Sequence, residues 1–166
     1  MSERIVIDRL PGGVAHVQLA RADKMNALDA AMFSALNAAA AELAQDRSLR
    51  AVVMSGQGRA FCAGLDMGSF HSMKEGGAPT SAKDLRVRTH GIANAAQNVS
   101  LAWRNLGVPV IAAVHGVALG GGLQVALGAD IRLVTADAKL SVLEIKWGLV
   151  PDMAGMPRLR SLCRDD

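Results

Sequence analysis

The segment GVALGGGLQ, residues 116–124, constrains the fold more than any other, because four of its nine residues are glycines that directly follow an apolar run. Glycine gives up side-chain packing and carries a larger entropic cost on folding, so such a cluster indicates unusual backbone geometry or close approach. Leu123 and Val125 then restore helix-forming apolar character. The pattern predicts a tight turn that opens a helix, whose bare N–H groups can approach an anionic oxygen. Close helix packing is the alternative explanation, and this segment alone does not decide between them.

The rest of the chain alternates strand-like and helix-like segments, which predicts an α/β layered architecture. Asp29 is a plausible N-cap, and the apolar residues after it recur at helical spacing. Pro11, Gly12 and Gly13 supply hairpin turn chemistry between two strand-like runs. We predict a hairpin of strands at 5–7 and 14–19, a helix at 30–44, buried strands at 51–56 and 108–114, a polar loop near a site at 71–84, and a helix at about 85–106.

Composition excludes several classes of protein. A chain of 166 residues that is 51% apolar is expected to form one globular domain over residues 1–166. No run approaches about 18 uninterrupted apolar residues, so no membrane partner is expected. Acidic Glu3 and Asp8 are unlike a secretion signal, which makes the cytoplasm the default location. The net charge is +3, but the basic residues are scattered and aromatics amount to 3%, so no nucleic acid partner is expected. Cys62 and Cys163 form neither a disulfide framework nor a zinc site, and no metal is expected.

Other glycine-bearing segments do not match the common nucleotide motifs. SGQGRAF has Gly56 and Gly58, but Phe61 occupies the third glycine position of a dinucleotide fingerprint. The sequence has neither a GK[ST] phosphate loop nor a GxSxG elbow. CAGLD, residues 62–66, is a second small-residue turn after a strand, with Asp66 placed to cap a following helix. Two such turns from distant parts of the chain can aim one backbone N–H each at a single oxygen, which is an oxyanion hole.

Four segments in order, RADKMNAL, GRAFCAGLDM, AAVHGVALGGGLQVALGADIRL and LSVLEIKWGLVPDMAG, resemble the crotonase superfamily of enoyl-CoA hydratases and isomerases. The resemblance runs from about Ile5 to Leu162. It implies an α/β spiral of repeated strand-strand-helix turns and an acyl-CoA thioester substrate, with coenzyme A as part of the substrate and no tightly bound cofactor. Family members usually continue into a C-terminal helical segment that covers the acyl pocket and builds trimers, whereas this sequence ends at RSLCRDD. The protein is either naturally short or a fragment of a longer product. In both cases we expect apolar surface that is exposed or covered by neighbouring chains, and hence oligomerisation or poor solubility. The resemblance implies a homo-oligomer, a trimer or hexamer.

The same resemblance assigns positions in the site. It makes the backbone N–H groups of Leu65 and Gly121 the oxyanion donors. Lys24 could meet the coenzyme's phosphates or be an ordinary surface lysine. The resemblance places substrate or coenzyme A contacts at Lys24, Met25, Ala27, Ala63, Gly64, Asp66, Met67, Gly120 and Trp147.

The catalytic carboxylates are where this sequence departs from the family pattern. Family hydratases carry one glutamate after the glycine triplet and another in the next motif; Gln124 stands at the first position and Glu144 at the second. An amide can orient a group but cannot take a proton at neutral pH. Asp152 gives a Glu and Asp pair similar to that of the dienoyl-CoA isomerases, although those carry another acid at the position of Gln124. We expect Glu144 to be the acid/base and a double-bond shift to be easier than hydration. A catalytically impaired acyl-CoA binder or an assembly subunit is the alternative.

Overall fold

The computed structural model describes residues 4–69 and 84–164. The predicted hairpin, first helix, two buried strands and glycine-led helix are all confirmed, while the polar loop predicted at 71–84 lies outside the described residues except for its last residue. The elements are β1 (Ile5–Leu10), β2 (Val14–Leu19), α1 (Ala30–Ala44), β3 (Ala51–Gly56), α2 (Ala95–Arg104), β4 (Val110–Val114), β5 (Val117–Leu119), α3 (Gly121–Leu127), β6 (Ile131–Val134), β7 (Lys139–Ser141) and α4 (Gly155–Leu162). Short 3₁₀ helices occupy Ala22–Lys24 and Leu143–Trp147.

Two sheets organise these elements. The larger has the order β1-β2-β3-β4-β6, in which β1 and β2 are antiparallel and the other pairs are parallel. The smaller pairs β5 with β7 in parallel. Isolated bridges join Leu28 to Leu65 and Cys62 to Ala118, so the segments after β2 and β3 reach the small sheet as well. The chain therefore repeats a strand in the large sheet, a strand-like segment in the small one, and then a helix.

The core fills the inner face of the large sheet. Strands β2, β3 and β4 alternate buried and half-buried residues, as expected for a sheet with one fully covered face. Asp29 accepts a hydrogen bond from the Met32 N–H and begins α1. The buried side of α1 consists of Met32, Phe33, Leu36, Ala39, Ala40 and Leu43. Trp103 of α2 is fully buried, so it belongs to the core.

The second helix begins later than the sequence analysis predicts. The prediction placed its start near Leu85, but α2 begins at Ala95 because Asn94 and Gln97 form a capping box. Gly91, just upstream, has a φ of 64°, which a right-handed helix cannot contain.

The parallel strands determine where the glycine-rich turns lie. Carboxyl ends of parallel strands meet at one edge of a sheet, which is where open α/β sheets bind ligands. RADKMNAL follows β2, GRAFCAGLDM follows β3, and the glycine cluster follows β4. The topology thus gathers at one edge the segments that the sequence analysis selected. In the described part of the chain, no helix has the length and apolar character needed to cross a membrane.

Candidate active site

Backbone hydrogen bonds join the three turns at this edge. The Ala63 N–H donates to the Met25 carbonyl at 2.9 Å, and the Leu28 N–H donates to the Gly64 carbonyl at 2.8 Å. On the other side, the Leu119 N–H donates to the Cys62 carbonyl at 3.1 Å. The turn at residues 62–66 is therefore held between the segment after β2 and the segment before the glycine cluster.

The glycines of the cluster satisfy two separate demands. Gly120 has a φ of 51° and a ψ of −119°, a backbone conformation that is essentially restricted to glycine. Gly122 has ordinary backbone angles, but a Cβ there would lie 2.4 Å from the Cys62 carbonyl oxygen. Close packing, one of the two explanations that the sequence left open, therefore applies to Gly122, although against the Cys62 turn. The other explanation, approach of the N–H groups to an anionic oxygen, stays a prediction.

The two turns that carry the predicted oxyanion donors touch. A Cβ on Gly64 would lie 3.6 Å from the Gly121 nitrogen and 2.5 Å from the Leu119 carbonyl oxygen, so the backbones of the two turns are in contact. No described residue accepts a hydrogen bond from the N–H of Leu65 or that of Gly121. Both residues line the same cavity. Their joint role as oxyanion donors stays a prediction.

The cavity has a volume of about 250 Å³ and a mostly apolar lining. Ten of the predicted site residues line it: Ala63, Gly64, Leu65, Met67, Gly120, Gly121, Gln124, Glu144, Trp147 and Asp152. The sequence analysis did not select Phe33, Leu85, Ala96, Leu119, Leu143, Leu149, Val150 and Met153, which complete the lining. Several of these are ordinary apolar residues of helices or turns, and nothing in their local pattern distinguishes a cavity wall from a core position.

Gln124 and Glu144 form one hydrogen-bonded unit in this cavity. The Gln124 Nε2 donates to Glu144 Oε1 at 2.6 Å, and Gln124 Oε1 accepts from the Gly155 N–H at 2.9 Å. Glu144 Oε2 is buried and has no partner among the described residues. A Cβ on Gly120 would approach Glu144 Oε1 to 3.3 Å, so the glycine leaves room for the carboxylate.

Asp152 is the second carboxyl group of the cavity lining. Although the residue as a whole is exposed, desolvation in the cavity mouth raises the pKa of Asp152 above its ordinary value. Glu144 and Asp152 are the only titratable side chains among the described residues of the lining. One cavity therefore holds two carboxyl groups and two free backbone donors.

The remaining predicted contacts lie behind the cavity or outside it. Lys24 is exposed on a 3₁₀ helix, and Met25 and Ala27 contribute backbone carbonyls to the scaffold. Asp66 accepts from Arg21 Nη1 at 2.7 Å and from the Gly68 N–H at 2.8 Å, so it caps the following turn as predicted. Burial acts to raise the pKa of Asp66, but these hydrogen bonds outweigh it and hold the pKa below its ordinary value.

Two polar residues that the sequence analysis did not select support the turn. Arg21 donates to the Ala27 carbonyl as well as to Asp66. Asn26 is fully buried, and its side chain bonds the Arg21 N–H and the carbonyls of Gln57 and Ala60. A buried asparagine whose amide is fully engaged joins the segments after β2 and β3. The only available signal was its place inside RADKMNAL.

The described residues contain no metal-binding cluster, and the thiol nearest the site is an inert one. No group of three or more His, Cys, Asp or Glu side chains in residues 4–69 and 84–164 could hold a metal ion. Cys62 is completely buried, and burial raises the pKa of its thiol to about 12. A thiol in this state is a packing group, because only the thiolate is a good nucleophile or ligand.

Comparison with known proteins gives concordant matches. The model of the family described as enoyl-CoA hydratase/isomerase matches residues 9–162. The probable enoyl-CoA hydratase of Bacillus subtilis is 34% identical over 134 residues, which are 81% of this chain and 48% of that protein. The mitochondrial Delta(3,5)-Delta(2,4)-dienoyl-CoA isomerase of Mus musculus is 31% identical over 157 residues, which are 95% of this chain and 48% of that protein. The chain thus spans about half the length of these curated relatives.

A solved structure confirms the predicted α/β spiral. An enoyl-CoA hydratase candidate from Thermobifida fusca, crystallised in complex with acetoacetyl-CoA, superposes with a TM-score of 0.80 at 31% identity. The match covers 96% of this chain and 62% of that one. The predicted family resemblance is confirmed together with the fold.

Proposed function

Because this chain belongs to the enoyl-CoA hydratase/isomerase family, we propose that it binds an acyl-CoA thioester and moves a proton on the acyl chain through an enolate. The observation that carries the proposal is the pair of free N–H groups, at Leu65 and Gly121, in an apolar cavity beside the Glu144 carboxylate. Coenzyme A arrives as part of the substrate, and no tightly bound cofactor is required. The relative crystallised with acetoacetyl-CoA supports this substrate class.

The two N–H groups would stabilise the thioester oxygen. When the carbon next to a thioester carbonyl loses a proton, negative charge develops on the carbonyl oxygen. Two N–H donors held in fixed positions stabilise that charge without reorganising. The loss of one such donor raises the activation barrier by on the order of 3 kcal/mol. The mostly apolar lining limits water, which strengthens the electrostatic interaction. Leu65 and Gly121 would thus act through their backbone N–H groups and not through a side chain.

Glu144 would transfer the proton. One of its oxygens is held by Gln124, while Oε2 is buried and unpartnered among the described residues. An ionised carboxylate with one free oxygen can remove a proton at one carbon of an allylic system and return it at another. The substrate and product are then isomers, and no other reactant is consumed. Asp152, whose pKa is raised, would supply or receive a proton at the far end of a longer conjugated chain.

A double-bond shift fits these groups better than hydration. Hydration needs water to be deprotonated and a proton to be delivered to carbon, tasks that two carboxylates share in typical hydratases. Gln124 occupies one of the two positions, and an amide cannot accept a proton at neutral pH. The mouse relative named a dienoyl-CoA isomerase supports a double-bond shift, since it is similar over 95% of this chain.

We also propose that the protein forms a homo-oligomer, a trimer or hexamer. Large apolar side chains are exposed on β6, on β7, on the second 3₁₀ helix, on α4 and in the connections between them, and exposed apolar surface marks interaction sites when it is contiguous. These side chains are Ile131, Leu133, Val134, Leu140, Val142, Ile145, Val150 and Met156. Light scattering tests the proposal: a discrete oligomer is expected, and a sharp monomer would contradict it.

The experiment that tests the reaction is mass spectrometry of products from matched 2-enoyl, 3-enoyl and 3,5-dienoyl-CoA thioesters. We expect products of unchanged mass with a shifted double bond, and an activity loss of at least about 10²-fold in Glu144→Gln. Asp137→Asn, which changes an exposed carboxylate between β6 and β7, serves as the matched control and should keep full activity. A product heavier by one water would identify a hydratase instead. Binding without turnover would favour an impaired binder or an assembly subunit.

A further inference from the structure

We propose that Gln124 is a positioning residue that fixes the Glu144 carboxylate in one orientation, with Oε1 engaged and Oε2 available to the substrate. The catalytic meaning of this inference rests on the proposed function, but the effect on the Glu144 carboxyl does not require turnover. Gln124 is 3% exposed and connects three elements: its own helix α3, the 3₁₀ helix that carries Glu144, and the first residue of α4.

The orientation of the Gln124 amide is fixed by its two partners. A backbone N–H can only donate, so the Gly155 N–H requires the amide oxygen on its side. The amide NH₂ must then face Glu144, where it donates to Oε1 at 2.6 Å. A Cβ on Gly155 would lie 2.6 Å from Gln124 Oε1, so the glycine at that position makes the contact possible.

This orientation gives Glu144 a partner that can only donate. The amide NH₂ holds Oε1 by donating to it, and it carries no charge that repels the carboxylate. A carboxylate at position 124 would accept the same Gly155 N–H and bring a second carboxyl oxygen within 2.6 Å of Oε1. Two carboxylates at that distance repel each other, so the amide supplies an attractive contact that a carboxylate would not.

Few other charges near Glu144 compete with this effect. Helix α3 carries no titratable side chain, and neither does β5. Asp152, which precedes α4, faces the same cavity, and Lys146 on Glu144's own 3₁₀ helix is exposed. Arg158 of α4 is directed away, with its Nε donating to the Leu127 carbonyl. Of these groups Gln124 alone bonds the carboxylate in the part of the chain that the structure describes.

The consequence for the reaction is a defined base atom. With Oε1 engaged, the proton transfers at Oε2, which is buried and has no partner among the described residues. Rotation of the carboxylate would break the 2.6 Å hydrogen bond, so the base holds a single direction toward the substrate. Gln124 itself exchanges no proton.

The test compares turnover and crystal structures of the wild type and three variants of the full chain. Gln124→Met removes the donor at similar size, and we expect kcat to fall about tenfold or more with little change in KM, and the Glu144 carboxylate to adopt more than one orientation. Gly155→Ala leaves Gln124 in place but displaces its amide, so it should change kcat and the Glu144 orientation in the same direction. Gln45→Met, the same chemical change at an exposed site, should leave both unchanged.

A Glu144 carboxylate with the same single orientation in the wild type, Gln124→Met and Gly155→Ala would overturn the inference. If the wild type turns over no thioester, the proposed function fails, while the crystal structures still decide whether Gln124 positions Glu144. If the wild type is active and Gln124→Met keeps its kcat, the positioning inference fails and the proposed function stands.

Discussion

Gly122→Ala tests whether position 122 must be glycine because the turn at Cys62 packs closely against it. The added Cβ would lie 2.4 Å from the Cys62 carbonyl oxygen and 2.8 Å from the Cys62 Cβ. Real Cβ contacts are essentially never shorter than 3.0 Å, so the atoms must separate by at least 0.6 Å. The obstacle is backbone, and the Cys62 carbonyl is already engaged by the Leu119 N–H, so a side-chain rotation cannot relieve it.

The displacement has a cost in stability and one in function. Overpacking of this kind costs about 1–3 kcal/mol, and at 2–4 °C per kcal/mol for a chain of this size we expect the melting temperature to fall by about 2–12 °C. Cys62 lies three residues before Leu65, so the same movement shifts one of the two proposed oxyanion donors. A misplacement beyond about 0.5 Å degrades such a site, and the expected loss of turnover approaches the 10²-fold that accompanies loss of one donor.

The assay pairs thermal unfolding with turnover of the best thioester, and it uses Gly107→Ala as the control. Gly107 has nothing within 4 Å of its Cβ position and no positive φ, so that variant should unfold within about 0.5 kcal/mol of wild type. If Gly122→Ala melts and turns over like Gly107→Ala, the close approach of the two turns is not what requires the glycine, and the reasoning is refuted.

Three further predictions follow from the charged and thiol groups. Asp152→Asn should raise the melting temperature at pH 7, because burial in the folded state raises the pKa of this carboxyl and so disfavours its ionisation. The gain should vanish below about pH 4, where the carboxyl is protonated in both the folded and the unfolded state. Arg21→Gln should lower the melting temperature at pH 7, since it removes the ion pair that depresses the pKa of Asp66, and the deficit should shrink as the pH falls below about 4. In native protein a thiol reagent should modify exposed Cys163 and spare Cys62, whereas both should react in denaturant; two fast thiols in the native state would contradict the burial of Cys62.

Local signals predicted the parts of the fold that local interactions decide. Helix α1 has the predicted bounds, since Asp29 caps it and its apolar residues recur on one side. The predicted start of α2 near Leu85 was wrong by about ten residues, because the helix begins only after the capping box of Asn94 and Gln97. Where the apolar pattern does not define the start of a helix, the capping residues do. The capping box is visible in the sequence as N-A-A-Q, residues 94–97.

The part of the candidate site that could be predicted is the meeting of the turns that follow the parallel strands. Strands that run in parallel bring their following turns to one edge, so the convergence of CAGLD with the glycine cluster follows from the order of the elements. The ion pair between Arg21 and Asp66 does not follow, since it joins side chains 45 residues apart and depends on their detailed placement. The same holds for the apolar lining, where Phe33 of α1 and Met153 before α4 meet only in the folded chain.

Gln124 shows most directly why the identity of a residue at one position is insufficient to predict its role in the site. Taken from the sequence, an amide in place of an acid is a loss, because a proton acceptor is missing. In the folded chain the same amide lies between a backbone donor at Gly155 and the remaining carboxylate at Glu144, which are 31 and 20 residues away in sequence. There it can do what an acid could not, namely donate a hydrogen bond while staying neutral at every pH at which the protein is folded. Under the proposed function, a carboxylate that one fixed donor holds in place is suited to returning a proton to the same molecule from which it was taken, with Asp152 as the second carboxyl group of the cavity.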